Sequence, residues 1–275
     1  QEMSRGLGDV YKRQIGIRAI INKKQSIVST TNLEKQNVYS LTEKVVEMAK
    51  VVPENQFCGL AESDKIKKVS KQEVQKLEIC DTYEPTMSLI EKEVIKLEES
   101  ALDNKEITNS EGAEIAYSKN SICLLGSNGL EVEMEKTHSD FIIAVLAGSK
   151  DSMEREYDYK SKVFFNELGD FEKIGKEVSQ NAIKKLNSRK LKTCKSDVIF
   201  DSKVSSSLLR NLFSASNAQS IVKGISFLKD KMNNKVFNDR ISIIDDPLMP
   251  KKLRSKILDC EGIQSKKKFL IEKGY

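Results

Sequence analysis

His138 is the only histidine in the chain, and it limits the chemistry that the sequence supports. A zinc site built on two imidazoles, or a His-Glu-x-x-His helix, needs a second histidine and is therefore excluded. A Ser-His-Asp triad would have to use His138 as its base, and no Gly-x-Ser-x-Gly nucleophile elbow accompanies it. Because His138 lies in Thr137-His138-Ser139, between two predicted strands, we expect a structural or surface role.

The remaining candidate ligands and nucleophiles also favour structural roles. Five cysteines at wide spacings form no Cys-x-x-Cys pair, which is typical of free thiols in a cytoplasmic protein. Asp245 and Asp246 could act as a carboxylate pair or ligate a hard metal ion. An Asp-Asp-Pro sequence after a strand is nevertheless ordinary turn chemistry, and we favour that interpretation. The sequence contains no phosphate-binding P-loop.

Charge and hydropathy restrict the partners. Charged residues make up 32% of the chain and the net charge is +5, but the charges mostly alternate in sign along the predicted helices. The one dense basic run, Lys266 to Lys268, is expected to be a solvated turn before a strand. Nucleic-acid binding is therefore not favoured. The longest apolar run, residues 141–148, is far shorter than the roughly 20 residues of a membrane span, so no membrane association is expected.

The first half of the chain predicts short elements that alternate in type. A hairpin is expected over residues 15–22 and 26–31, because both runs are rich in β-branched residues. Thr31 or Asn32 should cap an amphipathic helix that ends near Lys50. Residues 53–83 lack periodicity and are interpreted as a linker or surface excursion. A second helix should follow Pro85 and Thr86.

The second half predicts a sheet and then further helices and strands. Strands are expected over residues 113–119, 121–125, 130–136, 140–147, 152–163, 197–200, 241–244 and 268–271. Helices are expected from Asp170 to about residue 186 and from about residue 204 to 222. The fold class is therefore α+β: hairpins and a mostly antiparallel sheet with packed helices, followed by the start of a second, mixed α/β domain near Thr193.

Several blocks, in this order and spacing, resemble the TldD/PmbA family, the "modulator of DNA gyrase" proteins, and within it the PmbA (TldE) branch. The strongest blocks are Glu156-Tyr157-Asp158-Tyr159, residues 186–190, residues 224–231 and Asp245-Asp246-Pro247. The resemblance implies four segments. Residues 1–14 would be a non-native scar, 15–82 the C-terminal part of the first family segment plus a linker, 83–192 a central α+β segment, and 193–275 the truncated N-terminal part of the C-terminal domain.

The resemblance also implies a metal-free chain. The TldD branch resembles a zinc metallopeptidase with a His-Glu-x-x-x-His helix, whose imidazoles hold zinc and whose carboxylate activates water. Here that helix aligns with residues 208–215, where Arg210 and Asn211 replace the His-Glu pair and Ala215 replaces the second histidine. A guanidinium does not ligate zinc and an amide is not a general base. No catalytic or metal-binding residue is therefore expected in this chain, and zinc is expected in a TldD-type partner.

The implied function is that of a non-catalytic subunit of a cytoplasmic TldD–TldE-type metallopeptidase that degrades or processes small or unfolded peptides. Residues 214–224 are small and polar, and they should form either a cleft lining or a loop after a shortened helix. The residues expected to face peptide or partner are Ser214, Asn217, Lys223, Phe227 and Lys229. Two alternatives are a metallopeptidase in its own right and a gyrase-associated or nucleic-acid-associated regulator.

Overall fold

The computed structural model describes residues 12–149 and 152–275, so most of the expected scar over residues 1–14 lies outside the described part. The strands are β1 (Ile15–Ile21), β2 (Lys24–Thr30), β3 (Ile107–Leu125), β4 (Glu131–Ala147), β5 (Glu154–Lys162), β6 (Ile243–Asp245) and β7 (Lys268–Ile271). The helices are α1 (Lys35–Val51), α2 (Lys71–Gln75), α3 (Met87–Leu102), α4 (Phe171–Lys185), α5 (Ser202–Ser216) and α6 (Ala218–Val222). The predicted α+β class is confirmed.

The N-terminal hairpin of β1 and β2 forms as predicted, but its turn lies earlier than expected. Asn22 and Lys23 adopt φ values of 46° and 62°, the left-handed pair that a tight hairpin turn requires. Helix α1 starts after Glu34 and has no side-chain cap, so the predicted cap at Thr31 or Asn32 is wrong. The Asn32 side chain instead accepts a hydrogen bond from the Glu34 N–H at 3.0 Å.

One long hairpin replaces the four short strands predicted over residues 113–147. Strands β3 and β4 pair antiparallel from Leu125↔Glu131 to Ile107↔Ala147, and the predicted turn around Gly129 closes them. The expected breaks near Asn120 and His138 are wrong, because both residues remain paired, with Lys136 and Ser118 respectively. Polar residues continue a strand where one face of the sheet remains exposed to water.

Strand β5 adds to the free side of β4, giving the order β3-β4-β5, and helices α3 and α4 pack on one face of this sheet. The helix starts predicted at Thr86 and Asp170 are confirmed, and both side chains accept hydrogen bonds from backbone N–H groups of the first helical turn. The two helices approach closely at Gly175, where an added Cβ would lie 2.5 Å from the Leu97 carbonyl oxygen. The main core lies between these helices and the sheet.

Residues 53–83 are not a simple linker. Ser70 and Glu73 form a capping box at the start of α2. The chain then buries Leu77 and Ile79 in a second core against Leu130 and Val132 of the long hairpin. Ile257 and Leu258 complete that core from the C-terminal part of the chain. The missed signal was the pair of apolar residues at 77 and 79, which alternate as in a half-buried extended segment.

The two cores meet at a buried polar junction. Asp81 is 4% exposed, and its carboxylate oxygens accept hydrogen bonds from the N–H groups of Tyr83 and Phe165 at 2.9 and 3.0 Å. The Thr137 hydroxyl of β4 accepts from the Asp81 N–H at 2.7 Å and donates to the Val163 carbonyl at 2.8 Å. This junction ties together the start of α3, the middle of β4 and the end of β5.

The C-terminal part differs from the prediction in three places. Residues 197–200 form no strand and pair with no other described strand, so the predicted strand is wrong. The helix predicted to reach residue 222 breaks at Asn217, whose extended backbone and side-chain cap start α6. Strand β6 covers Ile243–Asp245 rather than residues 241–244, and it pairs antiparallel with the predicted strand β7.

The junction generates a stability prediction. Thr137→Val keeps the shape of the side chain but leaves the Asp81 N–H and the Val163 carbonyl without their buried partner. We expect the free energy of unfolding to fall by about 1–3 kcal/mol in a denaturant titration. The control is Thr42→Val on exposed α1, whose hydroxyl donates to the Val38 carbonyl at 2.8 Å. Equal effects at the two positions would contradict the role given to the junction.

Candidate functional site

Arg210, Asn211 and Ala215, which the resemblance aligns with the zinc helix, lie on α5, a largely exposed helix. Asp201 caps this helix by accepting a hydrogen bond from the Lys203 N–H at 2.8 Å. Arg210 and Asn211 are exposed, whereas Ala215 is half-buried. Leu212 is the buried residue of the helix, at 5% exposure.

These positions do not fit a zinc ion. Zinc takes imidazole, thiolate or carboxylate ligands, and a guanidinium, an amide and a methyl group at positions 210, 211 and 215 provide none of them. Across residues 12–149 and 152–275, no group of three or more histidine, cysteine, aspartate or glutamate side chains is placed to hold a metal ion. The chemistry of a metal-activated water therefore has no support from this helix.

The break at Asn217 opens a small polar cleft of about 320 Å³. The Asn217 side chain accepts a hydrogen bond from the Gln219 N–H at 2.9 Å, which starts α6 in a new direction. The cleft is lined by Ser214, Asn217, Gln219, Ser220, Lys223 and Ile225. Three of the five residues predicted to face peptide or partner, Ser214, Asn217 and Lys223, therefore lie together.

Phe227 and Lys229 lie on the loop beside this cleft and do not line it. The loop is fixed to α5 because the Ser226 hydroxyl donates to the Ala215 carbonyl at 2.6 Å and accepts from the Leu228 N–H at 3.0 Å. Phe227 is 64% exposed. The aligned position Ala215 thus contributes a backbone carbonyl that positions the loop.

A charge network fixes the start of α5 to the sheet. The Lys203 ammonium lies 3.1 Å from Asp158 and 3.7 Å from Glu156 of β5, and Glu156 also pairs with Lys185 of α4. Burial lowers the pKa of Lys203, but its hydrogen bond to Asp158 and the neighbouring carboxylates outweigh this and raise the pKa above its usual value. Sequence reasoning quoted Glu156 and Asp158 only as a family block and missed this role. Acidic residues alternating along one strand face were the available signal.

An apolar strip of α5 is not covered by the described residues. Val204, Leu208, Leu209 and Phe213 are each between 44% and 50% exposed. Val204 with Leu208 and Leu209 with Phe213 form two i, i+4 pairs on either side of the buried Leu212, and apolar residues at this spacing normally pack against another element. The strip, defined here as these four residues, is therefore a candidate contact surface.

The other candidate residues take structural roles. His138 lies within β4, opposite Ser118 of β3, and its Nε2 atom is 3.1 Å from the Asp140 carboxylate. Lys267 and Lys268 pair with Asp246 and Asp245 at 3.3 and 3.5 Å, which accounts for that acidic pair and neutralises part of the basic run.

The structure also addresses the predictions of free thiols and of no membrane span. All five cysteines, at positions 58, 80, 123, 194 and 260, are free thiols. Burial raises the pKa of the Cys80 thiol, which keeps it protonated and unreactive. Within the described part of the chain, no helix is both long enough and apolar enough to cross a bilayer.

Two domain models of one protein family match this chain. The PmbA/TldA metallopeptidase central domain matches residues 64–186, and the PmbA/TldA metallopeptidase C-terminal domain matches residues 193–275. The chain is 26% identical over 256 residues to "Metalloprotease PmbA homolog" of Buchnera aphidicola subsp. Baizongia pistaciae, covering 91% of this chain and 56% of that protein. It is 24% identical to "Metalloprotease PmbA" of Escherichia coli O157:H7, covering 94% and 57%.

Solved structures show the same fold at lower identity. A Bacteroides thetaiotaomicron protein, described as a candidate modulator of DNA gyrase, matches with a TM-score of 0.85 and 22% identity, covering 94% of this chain and 59% of that one. TldE from Thermococcus kodakarensis matches with a TM-score of 0.69 and 20% identity, covering 95% and 58%. The chain thus spans a little over half the length of the relatives it matches.

The charge network generates a prediction about α5. Lys203→Met keeps the length of the side chain but removes the cation that faces Glu156 and Asp158. We expect amide hydrogen exchange across α5 to speed up and the free energy of unfolding to fall by about 0.5–1 kcal/mol. Lys195→Met is the matched control, because Lys195 is exposed and makes no ion pair with a described residue. Equal exchange in the two variants would show that the network does not hold α5.

Proposed function

Because this chain belongs to the PmbA/TldD metallopeptidase family, we propose that it is the metal-free, non-catalytic subunit of a TldD–TldE-type peptidase. The observation that carries the proposal is the chemistry of α5, where Arg210, Asn211 and Ala215 occupy the positions of the zinc-binding and base residues. In this account the zinc and the water-activating carboxylate belong to a TldD-type partner. The substrates are small or unfolded peptides.

The polar cleft supports a role in holding peptide. Ser214, Asn217 and Lys223 offer hydroxyl, amide and ammonium groups to an extended main chain, whose carbonyl oxygens accept hydrogen bonds from any of them. Such contacts do not read side chains, as a subunit handling varied peptides requires. Phe227, exposed on the adjacent loop, adds an apolar contact beside the cleft.

The apolar strip of α5 supports a role in binding the partner. Leu209 and Phe213 are 45% and 44% exposed, and they lie on the helix that ends at the cleft. A partner packed on this strip would bring its own residues next to Ser214 and Asn217. The proposal places the assembly in the cytoplasm, where the five free thiols would remain reduced.

The experiment is co-expression of the full-length form of this protein with the TldD-type protein of its own genome. We expect the two to co-purify and the complex to hydrolyse unfolded peptides. Leu209→Asp should weaken the complex at least tenfold, roughly the loss expected when a central apolar contact becomes charged. Leu60→Asp is the control, since Leu60 is equally exposed, at 45%, but lies far from α5 in the chain.

Two outcomes would contradict the proposal. One is that the full-length protein remains a stable monomer and does not bind the TldD-type protein. The other is that Leu60→Asp and Leu209→Asp weaken the complex equally, which would remove α5 from the interface.

A further inference from the structure

Strand β5 is one of the two edges of the three-stranded sheet, and the direction of its backbone groups follows from its pairing with β4. The Thr137 N–H of β4 donates a hydrogen bond to the Ile79 carbonyl, which lies on the side of β4 away from β3. The backbone N–H and C=O groups of Thr137 and of every second residue after it therefore point toward β5. Even-numbered residues of β5 therefore bond to β4, and odd-numbered residues point outward. The outward direction of the Arg155 carbonyl is consistent with this pattern, because it accepts a hydrogen bond from the Lys185 ammonium instead of from β4.

The outward edge is open from Tyr157 to Ser161. No described residue forms a hydrogen bond with the outward N–H or C=O groups of Tyr157, Tyr159 or Ser161. The rings of Tyr157 and Tyr159 are stacked at 6.2 Å and are 43% and 54% exposed. An uncovered edge of this kind is a template for another strand.

The sequence of this edge is complementary to itself. If two copies of β5 run antiparallel about Asp158, Glu154 faces Lys162, Glu156 faces Lys160 and Tyr157 faces Tyr159. Odd residues then face odd residues, so the outward backbone groups of the two strands meet in register. Lys160 already donates to the Leu168 carbonyl at 2.7 Å, which leaves Glu154 and Lys162 as the new ion pair.

Only one like-charge contact arises in this register. The two Asp158 side chains face each other at the centre, and each is already paired with the Lys203 of its own chain at 3.1 Å. Lys162 makes no ion pair with a described residue, and, of the residues described, Ser188 alone donates a hydrogen bond to the Glu154 carboxylate, at 2.6 Å. Two opposite-charge pairs and two tyrosine pairs therefore outweigh the central repulsion.

We infer that β5 binds β5 of a second copy of this chain, forming a continuous six-stranded antiparallel sheet across a two-fold axis. The occupant of the free edge is thus the same protein, selected by the Glu154–Lys162 pairs and the tyrosine ladder. The contact uses neither the apolar strip of α5 nor the polar cleft. It therefore stands or falls independently of the proposed function.

Charge reversal tests the register. In sedimentation equilibrium of the full chain, Glu154→Lys or Lys162→Glu should each raise the dimer dissociation constant by about tenfold or more, because each places like charges opposite one another twice. The double variant Glu154→Lys/Lys162→Glu should restore it to within about threefold, since the pairs re-form with reversed sign. A monomeric wild-type chain at about 100 μM, or a double variant as weak as the singles, would overturn the inference.

Cross-linking tests the two-fold axis without relying on affinity. The test uses a chain whose five native cysteines are replaced by serine, with Asp158→Cys as the new cysteine. In the proposed register residue 158 of one copy faces residue 158 of the other in a non-hydrogen-bonded pair, where the two β-carbon atoms lie close enough for a disulfide. Ser161→Cys is the control, because it faces Arg155 of the second copy. Air oxidation should link the first variant and not the second. Equal disulfide cross-linking of the two variants, or no cross-linking of either, would contradict the two-fold axis. A monomer in which residues 191–200 protect the amides of β5 from hydrogen exchange would contradict it as well.

Discussion

The buried junction of Asp81 and Thr137 is the constraint on which the rest of the structure depends. Its carboxylate and hydroxyl join the chain entering α3, the middle of β4 and the chain leaving β5 at one point. A core lies on each side of this point, and β4 runs through both. Residues 257 and 258 pack into the second core, while Lys203 pairs with Asp158 in the middle of β5. The C-terminal part is therefore attached to the long hairpin through the second core and to β5 through the start of α5.

The sequence predicted the local elements better than their continuity. Periodicity and caps located α3 and α4 correctly, because Thr86 and Asp170 act on their own next turn. The sequence-based prediction divided β3 and β4 wrongly, because it took polar residues such as His138 as strand ends. A polar residue does not end a strand when the neighbouring strand still pairs with it, as Ser118 does with His138. The second core could not be foreseen, since it joins Leu77 to Leu258 through contacts that no local pattern encodes. At the candidate site, the small, polar composition of residues 214–224 indicated the grouping of Ser214, Asn217 and Lys223, but the anchoring role of Glu156 required the fold.

The proposed function rests on two features of α5: the absence of zinc ligands at positions 210, 211 and 215, and the polar cleft and apolar strip beside them. In the proposed function, Arg210 and Asn211 stand in place of the ligand and the base, and the helix is capped, anchored by Lys203 and joined to the Ser226 loop. The loss of zinc ligands alone would not account for a polar cleft at the end of α5 or for an apolar strip along its side. These features suit a surface that holds peptide beside a catalytic centre supplied by another chain. If β5 pairs as inferred, its edge extends the assembly through a second copy.

The central claim is that this chain holds no zinc, and zinc content tests it most directly. The full-length protein, purified alone and without chelators, would be analysed by inductively coupled plasma mass spectrometry alongside its complex with a TldD-type subunit. The account predicts well below about 0.1 zinc ions per chain for the protein alone, and about one per complex, as a single catalytic zinc site requires. About one zinc ion per chain in the protein alone would contradict it.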